Sequence, residues 1–364
     1  MLIMAFINIL FSFLLLLTHM PSNKFQLTDL QIPRVIFGTT GLGNLYVTPN
    51  ETTKCELIKE CIKHSSAPVF FDSAGKYGAG LALESLGKCL RQLNVSPDDV
   101  IISNKLAWVQ TELTTDEPTF EPGVWKDLKN DAIQKISYDG ILECFEQGNQ
   151  LLGGYIPQLV SVHDPDEYLA TAKNEQEEAA LYKDILDAYR ALFELKQQGK
   201  VKAIGVGAKN WKAIQKIAAD VDLDWVMIAN SMTIKSHPKE LLEFMQQLEQ
   251  KGTQIINSAV FHGGFLIGGD YCDYKLVTPD TEENRALLQW RETFFELCKT
   301  FDITPAAACI QFGLSAPGVK SIAVSTTNPA RVKENIDLAY ATVPKEFWQK
   351  MKQKGLIQDY YTYL

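Results

Sequence analysis

Four ionisable side chains stand at or just beyond the ends of apolar runs. Asp72 closes Val69–Asp72, Lys105 follows Val100–Asn104, His163 closes Gln158–His163, and Tyr77 lies five residues past Asp72 in FDSAGKYGAG. Free tyrosine titrates near 10, too high for efficient proton exchange at neutral pH. A neighbouring ammonium favours the phenolate and lowers that value, each unit of change being worth about 1.36 kcal/mol. In this set Lys105 supplies the charge, Asp72 holds and neutralises the lysine, and His163 orients a substrate oxygen. Such a group performs general acid–base catalysis beside a carbonyl or hydroxyl carbon, which suits hydride transfer. Singly, each residue has a plainer reading: a turn-forming aspartate, a solvated lysine, a turn at His163-Asp164-Pro165-Asp166. Their joint occurrence at the ends of consecutive runs is what points to chemistry.

The elements that must position them are legible as short apolar runs. Val35–Gly38, Val69–Asp72, Val100–Asn104, Gln158–His163, Ala203–Gly207, Trp225–Ala229, Gln254–Asn257 and Ser321–Val324 read as strands. Helical periodicity follows each, from Glu51–His64 to Pro329–Ala341. Thr48-Pro49-Asn50-Glu51 reads as a threonine cap, a proline in the first turn and a capping-box glutamate. Thr304-Pro305 and Asn328-Pro329 repeat the cap-then-proline signal. Eight β/α units imply parallel strands closing into a single (β/α)8 TIM barrel of class α/β. A doubly wound open sheet would want G-x-G-x-x-G after its first strand, and GTTGLG spaces Gly38, Gly41 and Gly43 wrongly for that.

A short hairpin is expected at Phe25–Pro33, ahead of the barrel. Two segments exceed ordinary loops: Val109–Lys135 after the third strand and His262–Asp280 after the seventh. Both belong at the C-terminal mouth, as lids or substrate loops. Phe120, Trp125, Tyr271 and Tyr274 make them aromatic, as a lid or an oligomer contact would be. No linker interrupts residues 21–364, which read as one domain.

Composition narrows the function. A net charge of −9 argues against nucleic acid as the main partner, because phosphate binding needs clustered Lys and Arg. The seven cysteines make no C-x-x-C pair or zinc spacing and read as buried reduced thiols, in keeping with a cytoplasmic location. Residues 1–20 complicate that reading. Leu2–Leu17 is apolar and uncharged, without the basic start or small-x-small site of a secretory signal. It is also shorter than the roughly 20 residues a membrane span prefers. Translation from Met20 is the favoured reading, with an export signal or membrane anchor as the alternative. A membrane partner follows only from the second. The oligomeric state has no signal in the sequence.

The chain resembles the aldo-keto reductases. FDSAGKYGAG is similar to that family's F-D-T-A-x-x-Y-G segment, IISNKLAW to its lysine-bearing strand, and LVSVHDPDEY to its histidine-bearing strand. The resemblance runs from about Ile32 to about Ala341. It implies that Asp72, Tyr77, Lys105 and His163 form the catalytic tetrad, and that NAD or NADP lies extended across the barrel mouth. FEPGVWKDL, NSAVFHGGFLIGG and SIAVSTTNPARVKENI look most like a branch that oxidises sugars at C1, with L-fucose, L-galactose and pyridoxal dehydrogenases as members or relatives. The implied reaction takes an aldose and NAD(P)+ to an aldonolactone. The alternatives are an NADPH-dependent aldehyde reductase and a cofactor-binding regulatory subunit.

For the cofactor, Ser325 and Thr326 are expected to open a helix N-terminus suited to phosphate. Arg331 and Asn335 match the family's arginine and adenine-contacting asparagine. Val324 and Ser325 stand where NADP-preferring members carry a lysine, so the resemblance leans to NAD, with Arg331 able to serve NADP. Ser258 occupies the place of a tyrosine that stacks on nicotinamide in many members. Gly207-Ala208-Lys209-Asn210 replaces a Ser-Asn carboxamide clamp, leaving Asn230 as the candidate contact. Trp108 and His262 are expected to line the pocket for a sugar or aldehyde. No metal site is expected.

Overall fold

The computed structural model describes residues 32–364 except Tyr274. The apolar segment 1–20 and the hairpin expected at Phe25–Pro33 lie outside the described residues, apart from Ile32 and Pro33. In chain order the strands are β1 Val35–Gly38, β2 Val69–Ala74, β3 Val100–Leu106, β4 Trp108–Glu112, β5 Asn130–Gln134, β6 Leu159–His163, β7 Ala203–Ala208, β8 Trp225–Ala229, β9 Gln254–Ser258, β10 Tyr271–Cys272, β11 Lys275–Leu276 and β12 Val319–Val324. The barrel closes in the order β1-β2-β3-β6-β7-β8-β9-β12, with every neighbouring pair parallel. These are the eight expected strands, in the expected α/β barrel.

Strands this rich in Val, Ile and Phe persist because both faces are covered. Ile36, Phe70, Ile101, Leu159, Ala203, Trp225, Met227 and Ile256 form one cluster within the barrel. The large Trp225 ring fits only because residue 205 is glycine, where an added Cβ would sit 2.3 Å from the indole. The helices bury a second layer outside, Leu57, Ile58 and Cys61 of Glu51–His64 among it.

Of three expected helix starts, two need correction. Asn50, not Thr48, caps the first helix, its side chain accepting the Thr53 amide at 2.8 Å. Pro49 therefore precedes the cap, in keeping with asparagine's stronger capping preference. At Asn328-Pro329 the Asn328 side chain accepts the Ala330 amide, and the α-helix starts only at Arg331. This is a local asparagine turn ahead of the helix. Thr304 caps its helix with Pro305 in the first turn, as expected.

The two long segments are not wholly irregular. β4 and β5 pair antiparallel after the third barrel strand, as do the short β10 and β11 after the seventh. The cysteines also depart from expectation. Cys55 and Cys89 form a disulfide between the helices Glu51–His64 and Leu81–Gln92, their Cα atoms 5.0 Å apart. A separation of 34 residues carries no local motif, and helix packing brings the pair together. Cys61, Cys144, Cys298 and Cys309 are buried free thiols. Among the described residues no helix is long and apolar enough to cross a membrane.

Candidate active site

β2, β3 and β6 are consecutive in the barrel, so their C-terminal ends bring Asp72, Lys105 and His163 together. Lys105 Nζ forms an ion pair with Asp72 Oδ2 and donates to Tyr77 Oη at 3.1 Å. His163 meets Tyr77 edge to face, with ring centroids 5.5 Å apart. Tyr77 reaches this point through a tight turn, its amide donating to the Ala74 carbonyl at 3.1 Å. Gly78 follows at φ 62, and an added Cβ there would sit 2.3 Å from the Gly43 carbonyl oxygen. Gly43, the last glycine of GTTGLG, thus gives the tyrosine turn its seat.

The electrostatics correct one expectation. Burial pushes the Tyr77 phenol up, Lys105 pulls it down by less, and the result is about 12. The lysine acts in the expected direction but is outweighed, so the phenol is protonated at neutral pH. Burial also opposes the Lys105 ammonium, yet Asp72 and Tyr77 more than offset it and hold the lysine above its ordinary value. The His163 imidazole is pushed well below its usual range by burial first, then by Lys105 and Lys76. It is neutral, and its Nδ1 is buried without a hydrogen-bond partner. The phenol, backed by an ammonium and beside a neutral imidazole, can give a proton to one substrate oxygen, and its phenolate can take one, while the imidazole orients that oxygen.

The four side chains face a cleft of about 670 Å³. Trp125 and Phe261 contribute to its apolar wall, and Trp125 lies 5.9 Å from the Tyr77 ring. Asn230, Ser258 and Ser325 line it, whereas Thr326, Arg331 and Asn335 do not. Ser325 and Thr326 precede the helix instead of opening it, and Thr326 Oγ1 accepts the Asn328 amide at 3.1 Å. Arg331 begins that helix and is exposed. Asn210 caps the helix Trp211–Asp220 through the Lys212 amide.

A nicotinamide cofactor passes a test of fit here. Asn230 sits at φ 58 with its buried Oδ1 unpartnered, an acceptor suited to a carboxamide N–H. The serine hydroxyls of 258 and 325 add polar contacts along the same cleft.

Trp108 and His262 make other contacts. Trp108 packs on Phe120 at 5.7 Å, and His262 is held between Thr233 at 2.7 Å and Asp273 at 2.8 Å. Neither lines the cleft. Sequence reasoning missed Lys76 and Phe261, which do. Lys76 offered one signal, its place beside Tyr77. Its partners Glu121, Asp164 and Glu167 come from distant segments that only the fold assembles.

A parallel barrel with a tyrosine set against a lysine–aspartate pair at its mouth defines an NAD(P)-dependent oxidoreductase. The sequence pattern of the aldo/keto reductase family matches residues 34–355, and the chain belongs to that family. It is 26% identical over 338 residues to the pyridoxal 4-dehydrogenase of Microbacterium luteolum, covering 91% of this chain and 96% of that protein. It is 25% identical over 342 residues to the D-threo-aldose 1-dehydrogenase of a Pseudomonas species, covering 90% and 95%. The barrel is similar to the holo form of an aldo-keto reductase from Bacillus halodurans, with a TM-score of 0.65 at 17% identity, over 89% and 92% of the two chains.

Proposed function

We propose that this enzyme oxidises an aldose at C1 to the aldonolactone, with an L-fucose-like sugar as substrate and NAD preferred over NADP. The observation that carries the reading is the Lys105–Tyr77 contact of 3.1 Å beside a neutral His163, open to a cleft of sugar size. The relatives named for pyridoxal and D-threo-aldose oxidation support that direction of reaction.

The bound nicotinamide supplies the hydride acceptor. The chain's own residues do the rest. His163 donates a hydrogen bond to the substrate oxygen and fixes its orientation. Tyr77 Oη, as the phenolate that Lys105 stabilises, takes the proton of the anomeric hydroxyl and becomes the phenol. Asp72 holds the lysine in place. Asn230 and Ser258 would hold the nicotinamide end of the cofactor, and Ser325, with Thr326, Arg331 and Asn335 beyond the cleft, would hold the adenosine end. Val324 and Ser325, in the stretch where a lysine would meet a 2′-phosphate, favour NAD.

One observation favours a second reading. A phenol with a pKa of about 12 carries its proton at neutral pH, the form that aldehyde reduction needs, pyridoxal included. Purified enzyme with L-fucose, L-galactose, D-arabinose and pyridoxal, each with NAD+ and NADP+, separates the two. Formation of reduced cofactor with a sugar supports the dehydrogenase. Silence there, with NADPH consumed by simple aldehydes, favours the reductase. Cofactor binding without turnover in either direction favours a regulatory subunit.

A further inference from the structure

At the cleft stands a set of charges, centred on the buried Lys76 and with Glu167 just outside the lining, that the proton transfer does not use. Lys76 is buried, with 5% of its side chain exposed, yet three carboxylates surround its ammonium. Glu121 lies at 2.7 Å, Glu167 at 3.1 Å and Asp164 at 3.6 Å. Glu167 also accepts from Lys209 at 2.6 Å. Lys105, the remaining ammonium of the lining, is paired with Asp72. Among the described residues, three lysines therefore meet four carboxylates, and each ammonium is already matched.

We propose that this arrangement is a charge filter, so that the cleft admits neutral polyhydroxylated substrates and rejects their phosphate esters. The inference rests on the sugar-oxidising reading above and adds the substrate's charge class to it. A phosphate dianion entering the cleft meets no ammonium without a carboxylate beside it. It must either remain unpaired in a partly desolvated site or displace a carboxylate and stay close to it. A neutral sugar has no such cost, since its hydroxyls can donate to those same carboxylates. Lys76 keeps the carboxylates together: without its ammonium, Glu121, Asp164 and Glu167 would repel one another. Glu121 belongs to the long segment that also brings Trp125 to Tyr77, so the filter and the aromatic wall share one support.

The test compares D-arabinose with D-arabinose 5-phosphate in the full-length enzyme with cofactor. Turnover is measured by nicotinamide absorbance and binding by calorimetry. The expected result is a kcat/KM about 100-fold or more lower for the phosphate, with binding weakened in parallel. Size alone would give the same loss, so Glu167→Gln is the deciding variant. It preserves the shape and removes the charge shared by Lys76 and Lys209. The ratio of phosphorylated to neutral kcat/KM should then rise by roughly tenfold. An unchanged ratio in Glu167→Gln means exclusion by size and overturns the filter. Equal or tighter binding of the phosphate by the unaltered enzyme overturns it as well. Preferential binding of neutral arabinose without turnover supports the filter and counts against sugar oxidation.

Discussion

Tyr77 is asked to do two opposed things, to give up a proton and to take one, and its surroundings weight the two unequally. Burial holds it protonated, with a pKa of about 12, while Lys105 pulls in the opposite direction. Oxidation of a hydroxyl needs the phenolate. Its kcat/KM should therefore rise with pH, close to tenfold per unit between about pH 7 and about pH 10. Reduction needs the phenol and should stay nearly level over the same range. A pH profile measured in both directions checks this, and a flat oxidative limb would contradict it. Lys105→Met removes the group that lowers the tyrosine. The oxidative limb should then move to higher pH and oxidation at neutral pH should fall more than reduction. The four residues were legible in the sequence because each stands at a strand end or just beyond one. The net direction of the tyrosine shift was not. It depends on how deeply the ring is buried, and part of that burial comes from Trp125, far along the chain.

The elements were legible wherever local chemistry sets them. Apolar runs marked the barrel strands, and Thr304-Pro305 marked its helix start. Elements decided by pairing or close contact were not. The β4–β5 hairpin is short and half exposed, and its apolar alternation is too weak to stand out within a long polar segment. GTTGLG invited comparison with phosphate-binding glycines, whereas Gly43 seats the tyrosine turn against Gly78. Gly78→Ala is the direct probe of that contact, since it meets both a positive φ and a backbone oxygen at 2.3 Å. It should destabilise the protein by roughly 2 kcal/mol or more and lower turnover through displacement of Tyr77. Denaturant unfolding together with steady-state kinetics tests it. A variant of unaltered stability and rate would show that the turn tolerates the methyl group.

At the scale of the molecule, the barrel brings together residues that sequence order scatters. Asp72 and His163 are separated by 91 positions and meet because β2, β3 and β6 are adjacent. Packing of two consecutive helices outside the barrel sets Cys55 against Cys89, a pairing for which the scattered cysteines carry no signal. A bridge across 34 residues should contribute about 4 kcal/mol to stability. Cys55→Ser, or reduction of the bridge, should therefore lower the unfolding midpoint while leaving the distant cleft active. An unchanged midpoint would show that the bridge adds nothing to stability.

The central claim is that Tyr77 exchanges the proton while a sugar hydroxyl is oxidised. It is tested most directly by following nicotinamide absorbance with L-fucose and NAD+, comparing the unaltered enzyme with Tyr77→Phe. The account predicts a rise in reduced cofactor for the first and a kcat lower by about 10²–10⁴ for the second, with cofactor binding retained. A Tyr77→Phe enzyme that keeps most of its activity would contradict it.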